Sequence, residues 1–444
     1  MEIVWREGSD PVAYEKARTT HLFNALIPSR FPAAIASVKS EQDIIDAVKL
    51  AIARDLRISI RSGGHSYAAW SVREHAILID IGEFRECELD TESGVVKVSP
   101  SLTGRELNDF LSERGRVFPV GHCPDVGVGG YLLGGGMGWN QPNIGWACEH
   151  IVAVDVVTAK GELVRADAQQ NRDLFWVARG GGPAFPGIVA RFHLQTFPAP
   201  EVMRSSGYIY TVEHYMIVFN WALKIAATFE DSIEIVALGS YQEGIDQPCI
   251  TIALIAFGND KEHITTLLQR IEDTHPPDPL SHWFNQPTNL TEQFNLKAQS
   301  YPAQHRYYVD NVFLKNSTDV ASVLEPAFTT LPTRTSLALW TSLIPISRRP
   351  LPDMALSMQS DHYFALYAIW EDASADSRCQ TWVDEVMEAV AVESVGSYLG
   401  ELDFRSRTTM YWGEDQGRQL SEAKGRWDPG NRICGCLGLG GFNQ

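Results

Sequence analysis

Two side chains able to act as nucleophiles, His65 and Cys123, stand in unusually glycine-dense stretches. One is Arg61-Ser62-Gly63-Gly64-His65-Ser66. The other is Gly121-His122-Cys123-Pro124-Asp125-Val126-Gly127-Val128-Gly129-Gly130, running on to Gly134-Gly135-Gly136-Met137-Gly138. Glycines at this density let backbone approach a ligand closely and turn its N–H groups toward an anion such as a pyrophosphate. An imidazole on a stiff turn titrates near neutrality, so its neutral nitrogen can attack an activated carbon. A thiol among backbone N–H groups is expected to have a lowered pKa. Plainer readings stand beside these: His65 as a loop residue or helix cap, Cys123 as a buried structural thiol. No Gly-x-Gly-x-x-Gly or Gly-x-x-x-x-Gly-Lys occurs, nor Gly-x-Ser-x-Gly or His-Glu-x-x-His, which removes the Rossmann, P-loop, serine-hydrolase and zinc-protease readings.

The flanking patterns say what must hold these turns. Residues 33–38 read as a strand, followed by a helix opening at Ser40-x-x-Asp43 and carrying Ile44, Ile45, Val48, Leu50 and Ile52. A strand over 57–60 then delivers the first turn. Residues 76–80 form another strand, and 86–90 with 95–99 a hairpin around Glu92-Ser93-Gly94. A helix starting at Thr103-x-x-Glu106 and stopping at Gly115 leads into the second turn. An apolar strand over 151–158 ends at the Lys160-Gly161 turn, and Pro198-Ala199-Pro200 reads as a linker. Beyond it, strands including 208–212, 250–257, 307–313, 337–343 and 364–370 alternate with amphipathic helices, an α+β pattern whose sheet would roof the site.

Taken together, the two turns resemble those of the vanillyl-alcohol oxidase superfamily, in particular its berberine-bridge-enzyme-like branch with bicovalent FAD. The resemblance implies an α+β fold: a two-part PCMH-type FAD-binding domain with an inserted substrate domain of antiparallel sheet plus helices. Residues 1–199 would be the FAD-binding domain in two subdomains, 200–395 the substrate domain, and 396–444 a segment returning to the FAD domain. His65 would bond the flavin 8α-methyl and Cys123 its C6. Further FAD contacts implied by position are Arg61, Ser62, Gly63, Gly64, Ser66, Gly121, Val126, Gly127, Gly130, Tyr131, Gly134, Gly138, Trp139, Glu149, Ile151, Ile188, Val189 and Tyr411. Glu149 replaces a commoner aspartate, and Ala184-Phe185-Pro186-Gly187 replaces the usual Asn-Phe-Gly with one residue more. The run Tyr411-Trp412-Gly413-Glu414 through Asn431 matches the family's closing motif.

The catalytic group departs from the family pattern. Where many relatives carry Tyr-x-Asn-Tyr, this chain has Tyr398-Leu399-Gly400-Glu401, and the tyrosine often found before Gly145 is Ile144. Glu401 is the first choice as proton acceptor, its carboxylate basic if held in an apolar pocket, against the reading of a solvated surface glutamate. Tyr411 and Tyr398 follow, then Asp310 and Tyr367. Tyr363, Tyr367, Tyr307 and Trp340 are candidates for the cavity wall, and His122 for either cavity or solvent. Small residues at Val128 and Gly129 would leave room for oxygen.

Composition bounds the partners. A chain of 444 residues suits two or three domains at roughly 150 residues each, and its 44% hydrophobic content can fill real cores. No apolar run approaches the ~20 residues of a membrane span. With 37 basic against 55 acidic residues the net charge is −18, which disfavours nucleic acid and anionic membrane. Seven cysteines, at 87, 123, 148, 249, 379, 434 and 436, show no metal-ligand spacing and suit reduced thiols; Cys434-Gly435-Cys436 reads as plain tail. The start lacks a basic, then apolar, leader, so a cytoplasmic location is expected. With the resemblance added, the expected activity is an oxidase taking hydride from a C–H next to O or N of a small organic molecule, whether secondary metabolite, sugar or amine. O2 would be the acceptor and H2O2 the product. The alternatives are a redox-neutral isomerase or cyclase on the same flavin scaffold, and a flavin-binding carrier without activity.

Overall fold

Ser40 accepts the N–H of Asp43 at 3.2 Å and starts the helix Glu41–Ala53. Its inner face is Ile44, Ala47, Val48 and Ala51, while Ile52 of the expected apolar stripe is exposed. The helix is wedged between two sheets. On one side the strands Arg57–Arg61, Ala76–Asp80 and Ala34–Ser37 run parallel, with Glu2–Trp5 added antiparallel at the edge. On the other lies a five-stranded antiparallel sheet in the order Cys87–Asp90, Val95–Val98, Gly187–Gln195, Ile151–Thr158, Leu163–Asp167. Thr103 and Glu106 close a full capping box on the helix Gly104–Ser112, which feeds the second glycine turn. The computed structural model describes residues 1–229, 231–404 and 406–435, so Cys436 lies outside the described residues.

An eight-stranded antiparallel sheet follows, ordered Ser281–Pro287, Val202–Thr211, Pro248–Gly258, Ile233–Tyr241, Leu337–Ser342, His362–Trp370, Arg306–Leu314, Ser394–Gly396. Strand side chains alternate between faces, and the two faces part cleanly. Phe364, Leu366, Ala368 and Trp370 pack with Val218 and Phe219 of the helix Tyr215–Ala226, with Leu324 and Phe328 of Val320–Thr329, and with Val383 of Asp376–Val390. Tyr363, Ala365, Tyr367 and Ile369 instead join a core shared with Val128, Trp139 and Trp146 from the first half of the chain. The roof therefore rests on the turn-bearing part through one continuous apolar contact.

The stretch read as a linker is in part a strand, since Phe197–Pro198 pairs with Arg116–Val117. Near the end, the helix Glu414–Trp427 lies against Arg172–Val177, and Ile433 bridges to Ile58 on the strand that carries the first turn. Lys424 secures this return, donating from its buried ammonium to Asp428 at 2.9 Å and to the Ile433 carbonyl at 3.1 Å.

Candidate functional site

The two glycine turns meet backbone to backbone. A Cβ on Gly63 would stand 2.7 Å from the Cα and N of Gly127, and one on Gly127 2.8 Å from the Cα of Gly63. Gly64 adds a second constraint: its φ is +72°, and a Cβ there would fall 1.7 Å from the His21 carbonyl oxygen. Only residues without side chains allow this approach. His65 Nε2 and Asp125 Oδ1, 3.2 Å apart, tie the turns again, and the imidazole stacks on Phe23 at 3.9 Å with 18° between planes.

Arg61 serves the turn from beneath. Its guanidinium is buried and donates to the carbonyls of Ala17 and Arg18 and to Asp80 Oδ2, each at 2.7 Å. The residue is among those lining the cavity, but its guanidinium is committed to this clamp and unavailable to a phosphate. Burial alone would raise the Asp80 pKa, but hydrogen bonds from His21 and Arg61 and the Arg61 charge outweigh it and hold the carboxyl low.

Cys123 shares a cavity of about 280 Å³ with His65. Burial pushes its thiol well above the usual range, with Asp125 and Glu401 adding to the rise and Lys297 opposing it. The expected lowering by backbone N–H groups is thus reversed, because loss of solvent outweighs the turn. Ser62, Gly63, Gly64, Ser66, Gly121, Val126, Gly127, Gly130 and Tyr131 also line this cavity. A second chamber of about 160 Å³ shares Ile60, Ser62, Trp70, Ser71, Gly130 and Leu399 with the first and is lined by Gly134, Ile188 and Val189. The two make one groove. At its wall, Ser59 Oγ and Trp70 Nε1 are buried without hydrogen-bond partners among the described residues.

Other expected residues lie away from both chambers. Gly138 is closed in by the Tyr131 hydroxyl and the Pro119 carbonyl, and Trp139 packs beneath His122 at 4.3 Å. Glu149 accepts the Trp146 N–H at 2.8 Å and pairs with Arg349, an ion pair that fixes its own loop. Ile151 is core. Tyr411 packs edge-on against Phe404 at 4.8 Å in a separate cluster. Val128 is also core, so of the two small residues expected beside oxygen only Gly129 faces a chamber.

The roof presents Val236, Leu339, Thr341, Tyr363 and Tyr367 to the cavity, and the loop Tyr398-Leu399-Gly400-Glu401 closes one side. Asn311 holds that loop, its Nδ2 donating to the carbonyls of Tyr398 at 3.0 Å and Glu401 at 2.8 Å. The Tyr363 hydroxyl donates to the Glu401 carboxylate. Glu401 is therefore half-buried and engaged rather than solvated. The Tyr398 hydroxyl accepts the N–H groups of Gly136 at 3.1 Å and Met137 at 3.3 Å. Asp310 is bound by Arg407 at 2.6 Å, and burial raises its carboxyl pKa, but it does not reach the cavity wall. Tyr307 donates to the Pro302 carbonyl at 2.7 Å, and Trp340 lies on the opposite face of the roof against Phe219.

Of the two placements open to His122, the structure gives the cavity, with its Nε2 3.5 Å from Glu234 Oε2. Several other wall residues had no motif to announce them. Gln141, Lys297, Tyr67 and Tyr301 also line the cavity. The signal for Glu234 was available: a carboxylate inside the apolar run Ile233 to Leu238 is costly unless it has partners. The amphipathic helix Leu290–Ser300 gave no such sign for Lys297.

Residues 32–167 match a family model described as an FAD binding domain. The chain is 37% identical over 437 residues to the FAD-linked oxidoreductase nodO of Hypoxylon pulicicidum, covering 98% of this chain and 97% of that one. It is 39% identical over 186 residues to the xylooligosaccharide oxidase of Thermothelomyces thermophilus, covering 41% of this chain and 37% of the relative. Among solved structures, BBE-like 1 of Physcomitrella patens superposes with a TM-score of 0.83 at 19% identity, over 97% of this chain and 95% of that one.

Proposed function

The chain belongs to the FAD-linked oxidoreductases, and from that premise we propose that it is an oxidase of the berberine-bridge-enzyme-like branch of the vanillyl-alcohol oxidase superfamily, holding FAD by two covalent bonds, at His65 and Cys123. The observation carrying this reading is the backbone contact of Gly63 with Gly127, which locks the two turns together and sets both nucleophiles on one cavity. The groove fits the group. Its glycine floor offers N–H groups to a pyrophosphate, its second chamber extends past Gly134, Ile188 and Val189, and Ser59 Oγ and Trp70 Nε1 at its wall lack partners among the described residues. When bound, FAD supplies hydride acceptance, with O2 as final acceptor and hydrogen peroxide as product.

Glu401 takes the proton of the substrate's hydroxyl or amine at its carboxylate, and the Tyr363 hydroxyl fixes that carboxylate's orientation. Tyr67, Tyr301 and Tyr367 wall the space with aromatic surface, and burial raises all three phenol pKa values, so they stay neutral and pack rather than titrate. The xylooligosaccharide oxidase is a precedent for a C–H beside oxygen. The apolar roof of Val236, Leu339 and Leu343 favours a smaller, less hydrated molecule such as a secondary metabolite.

The Tyr363–Glu401 pair could also return the proton it takes, which supports redox-neutral isomerisation or cyclisation as a second reading. Anaerobic mixing with substrate separates the two: bleaching of the flavin absorbance marks oxidation, turnover without bleaching marks isomerisation. The attachment is tested on denatured protein. Digestion is expected to yield one flavin-bearing species joining the His65 and Cys123 peptides, and His65→Ala with Cys123→Ala to abolish it. Colour that washes out of denatured wild-type protein would refute the covalent reading.

A further inference from the structure

The cavity has a second polar end that the proposed chemistry leaves unused. Lys297, on the helix Leu290–Ser300, lines it, and among the described residues no hydrogen bond or ion pair holds its ammonium. Burial lowers its pKa, opposed by the nearby Cys123 and Glu234. Glu234 is buried, its Oε1 accepting the Gln141 N–H at 3.1 Å and its Oε2 lying 3.5 Å from His122. A cation able to donate and a carboxylate able to accept thus stand together on the wall. A hydroxyl group both donates and accepts, and it adds no charge to a pair already near neutral. A carboxylate ligand would meet Glu234, and an ammonium would meet Lys297.

Strand register separates this end from Glu401. Val236 pairs with Thr341, and Thr341 with Tyr363, so the three lie in one row across adjacent strands. Glu234 is the next residue along on the same face. Two interstrand gaps across the sheet and a two-residue step along the strand put Glu234 and Tyr363 roughly 12 Å apart. The surface between them is formed by Val236 and by Thr341, whose hydroxyl is committed to the Ile235 carbonyl at 2.8 Å.

We propose that Lys297 and Glu234 form a hydroxyl-binding subsite, and that the substrate is an apolar molecule with two polar functions roughly 10–12 Å apart, the reacting one at Tyr363–Glu401 and a hydroxyl at this subsite. The assignment of ends rests on the oxidase reading above. The test is calorimetric titration of the holoenzyme, without oxygen, with 4,4′-biphenol, whose oxygens stand about that far apart, and with 4-phenylphenol, which has one hydroxyl. Biphenol is expected to bind about tenfold tighter or more, the worth of a hydrogen bond to a charged group. Lys297→Met and Glu234→Gln should each remove that gain while leaving 4-phenylphenol within about threefold of wild type, since its single hydroxyl still has the Glu401 end. Equal or weaker binding of biphenol, or a gain that survives in either variant, overturns the subsite. Failure of the oxidase reading shows elsewhere, as anaerobic turnover of substrate without bleaching of the flavin absorbance.

Discussion

Gly63→Ala tests the joint on which both proposed flavin bonds depend. The added Cβ would lie 2.7 Å from the Cα and N of Gly127, and both are backbone atoms with no rotamer to move. Carbon contacts settle near 3.5 Å, so the turns must part by roughly 0.8 Å. Overpacking of this kind costs about 1–3 kcal/mol, a fall in Tm of roughly 1–3 °C for 444 residues melting as one unit. The larger effect is geometric. His65 rides two residues beyond Gly63 and Cys123 four before Gly127, so parting the turns spreads the two attachment points while a bound ring keeps its width. The cross-linked fraction in a digest of denatured protein should drop, with flavin peptides held at one end only appearing in its place. Gly425→Ala is the control: it sits in the helix Glu414–Trp427, a Cβ there meets nothing within 4 Å, and a gain of about 0.5–1 kcal/mol is expected. A Gly63→Ala protein that melts with wild type and is fully cross-linked would refute the argument that backbone contact between the turns governs attachment.

Two further outcomes follow from the site. Glu401→Gln should slow anaerobic flavin reduction by about 10²–10⁴-fold with the flavin still attached, and Tyr363→Phe, which removes only the orienting hydrogen bond, by about tenfold or more. Beneath the first turn, Asp80→Asn should cost about 3–5 kcal/mol, because it leaves the buried Arg61 guanidinium unpaired. The Asp80 pKa is lowered in the folded state, so its stabilisation is complete above the unfolded value of about 3.9 and is lost as the pH falls through the lowered folded value. Thermal melts at stepped pH should show this acid-side loss in wild type and a flatter profile below about pH 4 in Asp80→Asn.

The turns and their supports were legible because each is specified locally. Ser40 and Thr103 cap the helices predicted for them, and glycine spacing alone announces a close backbone approach. The loop ending at Glu401 was legible as a departure from a family pattern. What the sequence could not convey is where a side chain's charge is already used. Arg61 in a phosphate-binding turn reads as a phosphate ligand until Asp80, nineteen residues later, is found to hold it from a parallel neighbouring strand. Cys123 reads as an activated thiol until its burial, with the Asp125 and Glu401 carboxylates nearby, is found to raise its pKa.

The roof was the least legible part for a reason that lies in register. The strands Leu337–Ser342 and His362–Trp370 are apolar and aromatic at nearly every position, so alternation leaves no mark on the sequence. Their pairing sets Thr341 opposite Tyr363 and Trp340 opposite Phe364, which sends tyrosine to the cavity and tryptophan to the helices. A slip of one residue would exchange them, and nothing within either strand forbids the slip. Elements outside the strands fix it: Phe219 and Phe328 need the aromatic face that Trp340 and Phe364 provide, and Glu401 needs the Tyr363 hydroxyl. The choice of cavity wall is thus made by groups 35 residues or more from the tyrosine they orient, a distance over which no local pattern in the chain carries information.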